Sequence, residues 1–168
     1  MLTVALHLAS TGAAIVAAMM LVLWIIHLLI RNAAIVDAGW AAGLAALAIF
    51  YAVKGPGYSA RKWAIASMAG FWGLRLAGYL LFSRVIGHRE EGRYVQLRRE
   101  WKTNLSLRFL FFFEFQGLLG TVLSLPFLLA CLDPRAPLGR PETTRRGVII
   151  VPVSSKSVPP AVVPMVRR

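Results

Sequence analysis

Four long apolar segments constrain the fold of this chain more than any other feature of its sequence. They cover about residues 4–30, 33–53, 63–82 and 107–132, and each is close to or longer than the roughly 20 residues that a helix needs to cross a bilayer. Hydrophobic residues make up 58% of the 168 positions, against about 45–50% in soluble domains. The sequence therefore predicts an all-α, multi-spanning transmembrane helical bundle with the lipid bilayer as its surroundings.

The rest of the chain divides into a connecting segment and a tail. Residues 83–106 form a polar, interfacial segment between the third and fourth spans, so that residues 1–132 make up one transmembrane domain. Residues 133–168 contain seven of the nine prolines and seven basic residues. This abrupt change predicts either a disordered tail or one produced by a shifted reading frame or a truncated gene, and we favour the second interpretation.

The formal net charge of +12 is explained by the flanks of the spans and by the tail. Basic residues beside membrane spans set the topology and face anionic lipid. They are concentrated after the third span, which predicts cytoplasmic first and third connections and an external N-terminus, although the basic tail indicates the opposite orientation. A soluble basic face of the kind that binds nucleic acid is absent from the sequence, so we expect no nucleic-acid partner.

Three ionisable residues interrupt the apolar segments, namely Asp37, Arg75 and Glu114. A charge at membrane depth costs about 2.5–3.5 kcal/mol even on the most lenient scale, so it usually has a partner or a function. The order of the spans predicts that all three lie in the same third of the membrane, level with Gln116. We expect them to form a buried cluster, either as a structural clamp or as part of a polar cavity.

The segment between spans three and four combines a helical pattern with reactive side chains. Tyr94, Leu97 and Trp101 recur at helical spacing, which is typical of an amphipathic helix with its aromatic rings at the headgroup level. The same segment contains Glu90-Glu91 beside Arg93-Tyr94. Arginine can bind a phosphate through two hydrogen bonds, and tyrosine can donate a proton or hydrogen bond to a carbonyl.

Several other kinds of site are excluded by the residues present. The single cysteine, Cys131, permits neither an internal disulfide nor a cysteine-based metal site. His88 with its neighbouring carboxylates is too sparse a set for a metal, which needs three or four convergent ligands. His7 and His27 are interpreted as packing or interfacial residues of the first span. No Rossmann fingerprint, phosphate loop or nucleophile elbow occurs in the sequence.

Four motifs occur in order between residues 31 and 126. They are RNAAIVDAGW at 31–40, WGLRL at 72–76, EEGRY at 90–94, and FQG at 115–117 followed by SLP at 124–126. Together they resemble a bacterial membrane family of unassigned function that is related to steroid 5-alpha-reductases and, more distantly, to isoprenylcysteine carboxyl methyltransferases. The resemblance implies a multi-pass protein of the bacterial inner membrane.

The resemblance also implies an activity, namely NADPH-dependent reduction of a C=C bond conjugated to a ketone in a lipid-like or steroid-like substrate. Hydride would go to the β carbon while an acid polarises the carbonyl oxygen. The candidate acids are Tyr94, Glu91 and Glu90, and Arg93 is the candidate cofactor ligand. The resemblance further implies a hydrophobic small-molecule substrate, whose cavity would be lined by Asp37, Trp40, Arg75 and Gln116. We add Glu114 to this lining because it is one of the three charges within the spans.

The chain departs from this family after the fourth span. Members are usually longer, and a later Arg-His-Pro-Asn-Tyr-like string, which carries the main cofactor contacts, is missing here. If the tail is the product of a shifted reading frame or a truncated gene, the chain retains the substrate side of an enzyme, lacks most of the cofactor site and would be inactive by itself. Two other interpretations stay open: a membrane methyltransferase that uses S-adenosylmethionine, and a non-catalytic helical bundle.

Overall fold

A computed structural model describes residues 2–90, 92–101 and 103–135 of the chain. Five α-helices occur within these ranges: α1 Leu2–Ile30, α2 Ile35–Lys54, α3 Ser59–Leu80, α4 Gly92–Glu100 and α5 Leu105–Leu132. A π-helical segment, Leu81–Val85, continues α3 without a break. The predicted tail lies outside the described residues from position 136 onward, as does Glu91.

Four of these helices are long and apolar enough to cross a membrane: α1, α2, α5, and α3 together with its π-helical extension. The predicted all-α bundle with four spans is therefore confirmed. The third span starts at Ser59 and ends at Val85, several residues beyond the predicted limits of 63 and 82 at both ends. Because large apolar side chains on α1, α3 and α5 are exposed, the outer faces of these helices can contact lipid.

Helix α2 is the central helix, since it packs against α1, α3 and α5. Twelve of its 20 residues are buried, and most of them are alanine, glycine or another apolar residue. Small side chains allow neighbouring backbones to approach closely, which is the main source of helix packing within a bilayer. The contact with α3 is built in the same way, because the buried residues of α3 are Ala66, Gly70 and Gly73.

Gly73 marks the closest approach between α2 and α3. A Cβ atom added there would lie 2.7 Å from the carbonyl oxygen of Ala41 and 2.9 Å from the Cβ of Ala45. We expect Gly73→Ala to lower the free energy of unfolding in mixed micelles by about 1–3 kcal/mol, because backbone and a rigid methyl group must shift. Gly78→Ala on the same helix is the matched control, since nothing lies within 4 Å of the added atom. Equal effects of the two changes would show that the approach at Gly73 is not tight.

The turn between α2 and α3 is held against the end of α5. Gly57 donates its backbone N–H to the carbonyl oxygen of Cys131 at 2.9 Å, and Arg61 forms an ion pair with Asp133 at 2.9 Å. The backbone N–H of Arg135, together with the charge of Arg61, holds the pKa of Asp133 below its ordinary value. These contacts fix the end of the bundle that is opposite to the candidate site.

Candidate functional site

The first and third connections meet at one end of the bundle, and Asn32 joins them. Its side-chain nitrogen donates to the carbonyl oxygens of Arg84 at 3.1 Å and His88 at 3.4 Å. Its side-chain oxygen accepts the N–H of Ala34 at 3.0 Å. Ala34, and not Asn32, is the N-cap residue of α2, and it makes no side-chain cap. Asn32 instead ties the α1–α2 connection to the segment that follows α3.

The first polar group at this end is centred on the carboxylate of Asp37, in the first turn of α2. Tyr94 donates its hydroxyl proton to Asp37 Oδ1 at 3.0 Å. Arg93 donates from Nη2 to Asp37 Oδ2 and, at 2.8 Å, to the hydroxyl oxygen of Tyr94. Arg84 Nη1 lies 3.9 Å from the same Oδ2. We call Asp37, Arg84, Arg93 and Tyr94 the Asp37 group.

The ring of Tyr94 fixes the position of its hydroxyl. The residue is 1% exposed, with the guanidinium carbon of Arg93 4.6 Å from the ring centre and Phe112 edge-on at 6.1 Å. The Arg93 side chain remains 53% exposed and covers the tyrosine from the outside. The predicted helix thus forms as α4, and Tyr94 packs into the bundle.

A second polar group is centred on the carboxylate of Glu90. Arg98 binds it through two hydrogen bonds, from Nε to Oε2 at 2.6 Å and from Nη2 to Oε1 at 3.1 Å. Ala33 donates its backbone N–H to Oε1 at 2.8 Å. Arg98 Nη2 also lies 2.9 Å from Nε2 of His27. We call Glu90, Arg98 and His27 the Glu90 group, and it connects α4 to α1 and to the α1–α2 connection.

The contact with Arg98 determines the protonation of His27. Arginine is a donor only, so His27 Nε2 must accept and the imidazole is neutral with its proton on Nδ1. His27 is 1% exposed, and its ring lies between Phe109 and Phe113. Sequence reasoning missed Arg98, although its position four residues after Tyr94 places it on the same face of α4.

Comparison with known proteins assigns the chain to a family. A family model described as "Protein of unknown function (DUF1295)" matches residues 23–156, which is most of the chain. The chain belongs to the DUF1295 family. The match includes every residue of both polar groups and continues past α5 into the Pro- and Arg-rich residues 133–156. No curated protein and no solved structure matches the chain.

The predicted cluster of Asp37, Arg75 and Glu114 does not form in this DUF1295 protein. Asp37 lies two residues from the start of α2, whereas Arg75 lies ten residues before Val85, which is about 15 Å along the helix. Glu114 is similarly deep in α5. Arg75 is exposed on α3, and Glu114 lines a separate cavity of about 200 Å³ beside Ala13 and Ala17 of α1. The π-helical extension of α3 and the earlier start of α5 increase this difference in depth.

Two other predicted cavity residues lie apart from the Asp37 group. Trp40 is half-buried in α2, with its indole nitrogen close to Gly120 of α5. Gln116 is half-buried on α5, and no hydrogen bond links it to Asp37 or Tyr94 within the part of the chain that the structure describes. The candidate acid Glu91 is outside that part. Of the predicted site residues, the structure therefore brings together Asp37, Arg93 and Tyr94.

The resemblance to reductases implies NADPH as the cofactor. A site for it in this DUF1295 protein would need basic side chains that can bind the phosphates of a dinucleotide. The cofactor carries several phosphate charges, which need free guanidinium or ammonium groups. Arg93 and Arg84 already face Asp37, and Arg98 binds Glu90 through two hydrogen bonds. The described residues of the two groups therefore do not fit a complete dinucleotide site. Metal coordination is likewise not supported there, since no three His, Cys, Asp or Glu side chains converge among the residues described.

Proposed function

We propose that this protein is a membrane reductase of the steroid 5-alpha-reductase type, which acts on a conjugated enone in a lipid-like molecule with NADPH as the hydride donor. The observation that carries the proposal is the buried hydroxyl of Tyr94 in contact with both Asp37 and Arg93. Membership of the DUF1295 family and the four ordered motifs support it. Because the described residues do not fit a complete cofactor site, their part in such a reaction is to bind and polarise the substrate.

In this proposal Tyr94 is the acid that protonates or polarises the substrate carbonyl. Its single hydroxyl proton is donated to Asp37 in the absence of substrate and would turn to the carbonyl oxygen when substrate binds. The guanidinium of Arg93, 2.8 Å from the phenol oxygen, would stabilise negative charge that develops on that oxygen. Asp37 would then hold Arg93 in place. Glu90 is a poorer candidate, since both its oxygens already accept hydrogen bonds.

An apolar groove provides room for the hydrocarbon part of such a substrate. It measures about 410 Å³ and lies between α1, α2 and α3. Met19 and Leu23 line it from α1, and Leu74 lines it from α3. Ile35 and Leu81 also line it, and they lie at the membrane level of Asp37, near the start of α2 and the end of the third span. A substrate in the groove could therefore present a polar end at the level of the Asp37 group.

We further propose that the protein lies in a bacterial inner membrane with its N-terminus outside. The resemblance supports the compartment, and the arginine-rich third connection supports the orientation. The polar groups would then face the cytoplasm, where a nicotinamide cofactor is found. Cleavage of the third connection at Arg89 by trypsin added to inside-out vesicles, but not to right-side-out vesicles, is the expected result; the reverse pattern would contradict the orientation.

Enone binding is the first test of this function. The protein, reconstituted in nanodiscs, is heated with an enone, its saturated ketone or its alcohol, and the melting temperature is recorded. We expect the enone to raise the melting temperature more than the ketone or the alcohol does. At an enone concentration of 100 Kd the free energy of unfolding should rise by about 2.7 kcal/mol. Asp37→Asn should abolish the difference between enone and alcohol, because Arg93 and Tyr94 lose their anchor. Oxidation of added NADPH is measured in parallel.

The matched control is Glu114→Gln, which makes the same carboxylate-to-amide change within a span but away from the Asp37 group. We expect this variant to bind the enone like the unchanged protein. Enone binding without NADPH oxidation would support the substrate site but not a reductase activity of this chain. Failure to bind any enone, or an equal loss in both variants, would refute the proposal.

A further inference from the structure

A separate cavity lies where the end of α1, α4 and the start of α5 meet. It measures about 220 Å³ and is lined by His27, Leu28, Arg31, Arg98, Leu105, Ser106 and Phe109. One water occupies about 30 Å³ in the liquid, so the space is large enough for a group with several oxygen atoms. The Asp37 group does not contribute to its lining. Any role of this cavity is therefore independent of the proposed reductase function.

The charged side chains that line this cavity are both cationic. Arg98 is bound to Glu90 through Nε and Nη2, which leaves the N–H groups of Nη1 without a partner in the described ranges. Arg31 is exposed and has no ion-pair partner among the residues described. One carboxylate, Glu90, thus offsets one of two guanidiniums. The cavity retains an uncompensated positive charge, which favours an anion with a single negative charge.

A further feature of the lining lacks hydrogen-bond partners. Helix α5 begins at Leu105, and Asn104 provides no side-chain cap for its first N–H groups. The start of a 28-residue helix also carries a partial positive charge, and such positions bind phosphate.

The position of the cavity indicates the source of the anion. It lies at the end of the bundle where Trp24 donates its indole N–H to the carbonyl oxygen of Ser106 at 2.9 Å, and tryptophan is enriched at the lipid–water interface. Leu28 and Leu29, which are exposed on the last turn of α1 beside the cavity, can contact acyl chains. We propose that the cavity binds the phosphodiester of one phospholipid headgroup, with Arg31, Arg98 and the start of α5 as donors.

Native mass spectrometry of the detergent-solubilised protein tests this site. Phosphatidylglycerol, phosphatidylcholine and inorganic phosphate are added separately, and bound molecules are counted as the concentration rises. We expect one phospholipid to be retained at low concentration, with phosphatidylglycerol the tighter of the two because it has a net negative charge. Arg31→Gln should weaken this binding at least about tenfold, since a charge-assisted hydrogen bond is lost. Arg31 makes no other described side-chain contact, so the variant should fold.

Arg99→Gln is the matched control, because it removes the same charge from an exposed residue of α4 that does not line the cavity. It should leave the retained lipid unchanged. Equal weakening by Arg31→Gln and Arg99→Gln would overturn the proposal, since binding would then reflect net charge alone. Competition by inorganic phosphate at concentrations similar to those of the lipid would also overturn it and indicate a soluble anion. Retention of no lipid by the unchanged protein would do the same.

Discussion

Glu90→Gln is expected to destabilise the protein by about 3 kcal/mol, the lower end of the range for breaking a buried ion pair. The Glu90 side chain is only 10% exposed, and its oxygens accept three hydrogen bonds from Arg98 and Ala33. A neutral amide leaves Arg98 without its counter-charge and turns an N–H toward its donors. The lower end of the range applies because Arg98 keeps 30% of its side-chain surface exposed and can recover some hydration. The free energy of unfolding of the purified protein, measured in mixed micelles, gives the size of the loss.

Glu100→Gln is the control for this change, since Glu100 is an exposed residue of the same helix and accepts a hydrogen bond only from Gln96 among the described residues. Glu100→Gln should change the free energy of unfolding by no more than about 0.5 kcal/mol. The comparison also separates a structural role of Glu90 from a catalytic one. A Glu90→Gln protein of normal stability that fails to turn over substrate would contradict the structural assignment and restore Glu90 as the acid.

Tyr94→Phe is expected to lower the rate of the proposed reduction by about 10²- to 10⁴-fold, the usual contribution of a positioned general acid. The ring contacts with Phe112 and Arg93 are kept, so the fold should survive. Loss of the hydroxyl removes one hydrogen bond to Asp37 and one from Arg93. Single-turnover oxidation of NADPH in the presence of enone measures the rate, and the melting temperature measures the structural cost.

Tyr51→Phe is the matched control, because Tyr51 is also buried and its hydroxyl is hydrogen-bonded to Ser124 at 3.3 Å, outside the Asp37 group. Tyr51→Phe should lower the free energy of unfolding by about 1 kcal/mol, and Tyr94→Phe by about 1.5–3 kcal/mol, because the Tyr94 hydroxyl is hydrogen-bonded to charged groups. Only Tyr94→Phe should lose activity. If the two variants turned over equally well, Tyr94 would not be the acid and the proposed mechanism would fail.

The membrane architecture could be predicted from the sequence because it depends on local properties. Length and hydropathy define the four spans, since a helix is the economical way to satisfy backbone groups in lipid. Small residues of α2 and α3 lie where these two helices approach closely. The predicted limits of the third span were less accurate. The chain continues there as a π-helix through Leu81–Val85, and no pattern in the sequence separates that segment from an ordinary polar connection.

The candidate site was only partly predictable. Arg93 and Tyr94 were identified from their chemistry, but their partner Asp37 was assigned to a cluster with Arg75 and Glu114. Counting residues from the connections gives an approximate depth along each helix and does not give the face on which a side chain lies. Arg75 is exposed on the outside of α3, so depth alone could not have placed it against Asp37.

The sequence by itself determined that this is a helical membrane protein with several spans, because hydrophobic length and charge are properties of continuous segments. Only the tertiary structure decided which charges meet. Asp37 lies 56 residues from Arg93, and His27 lies 71 residues from Arg98. Such pairs form when α4 folds back over the ends of α1 and α2. Their formation depends on helix rotation and on the path of the connections, which the order of residues along one helix does not specify.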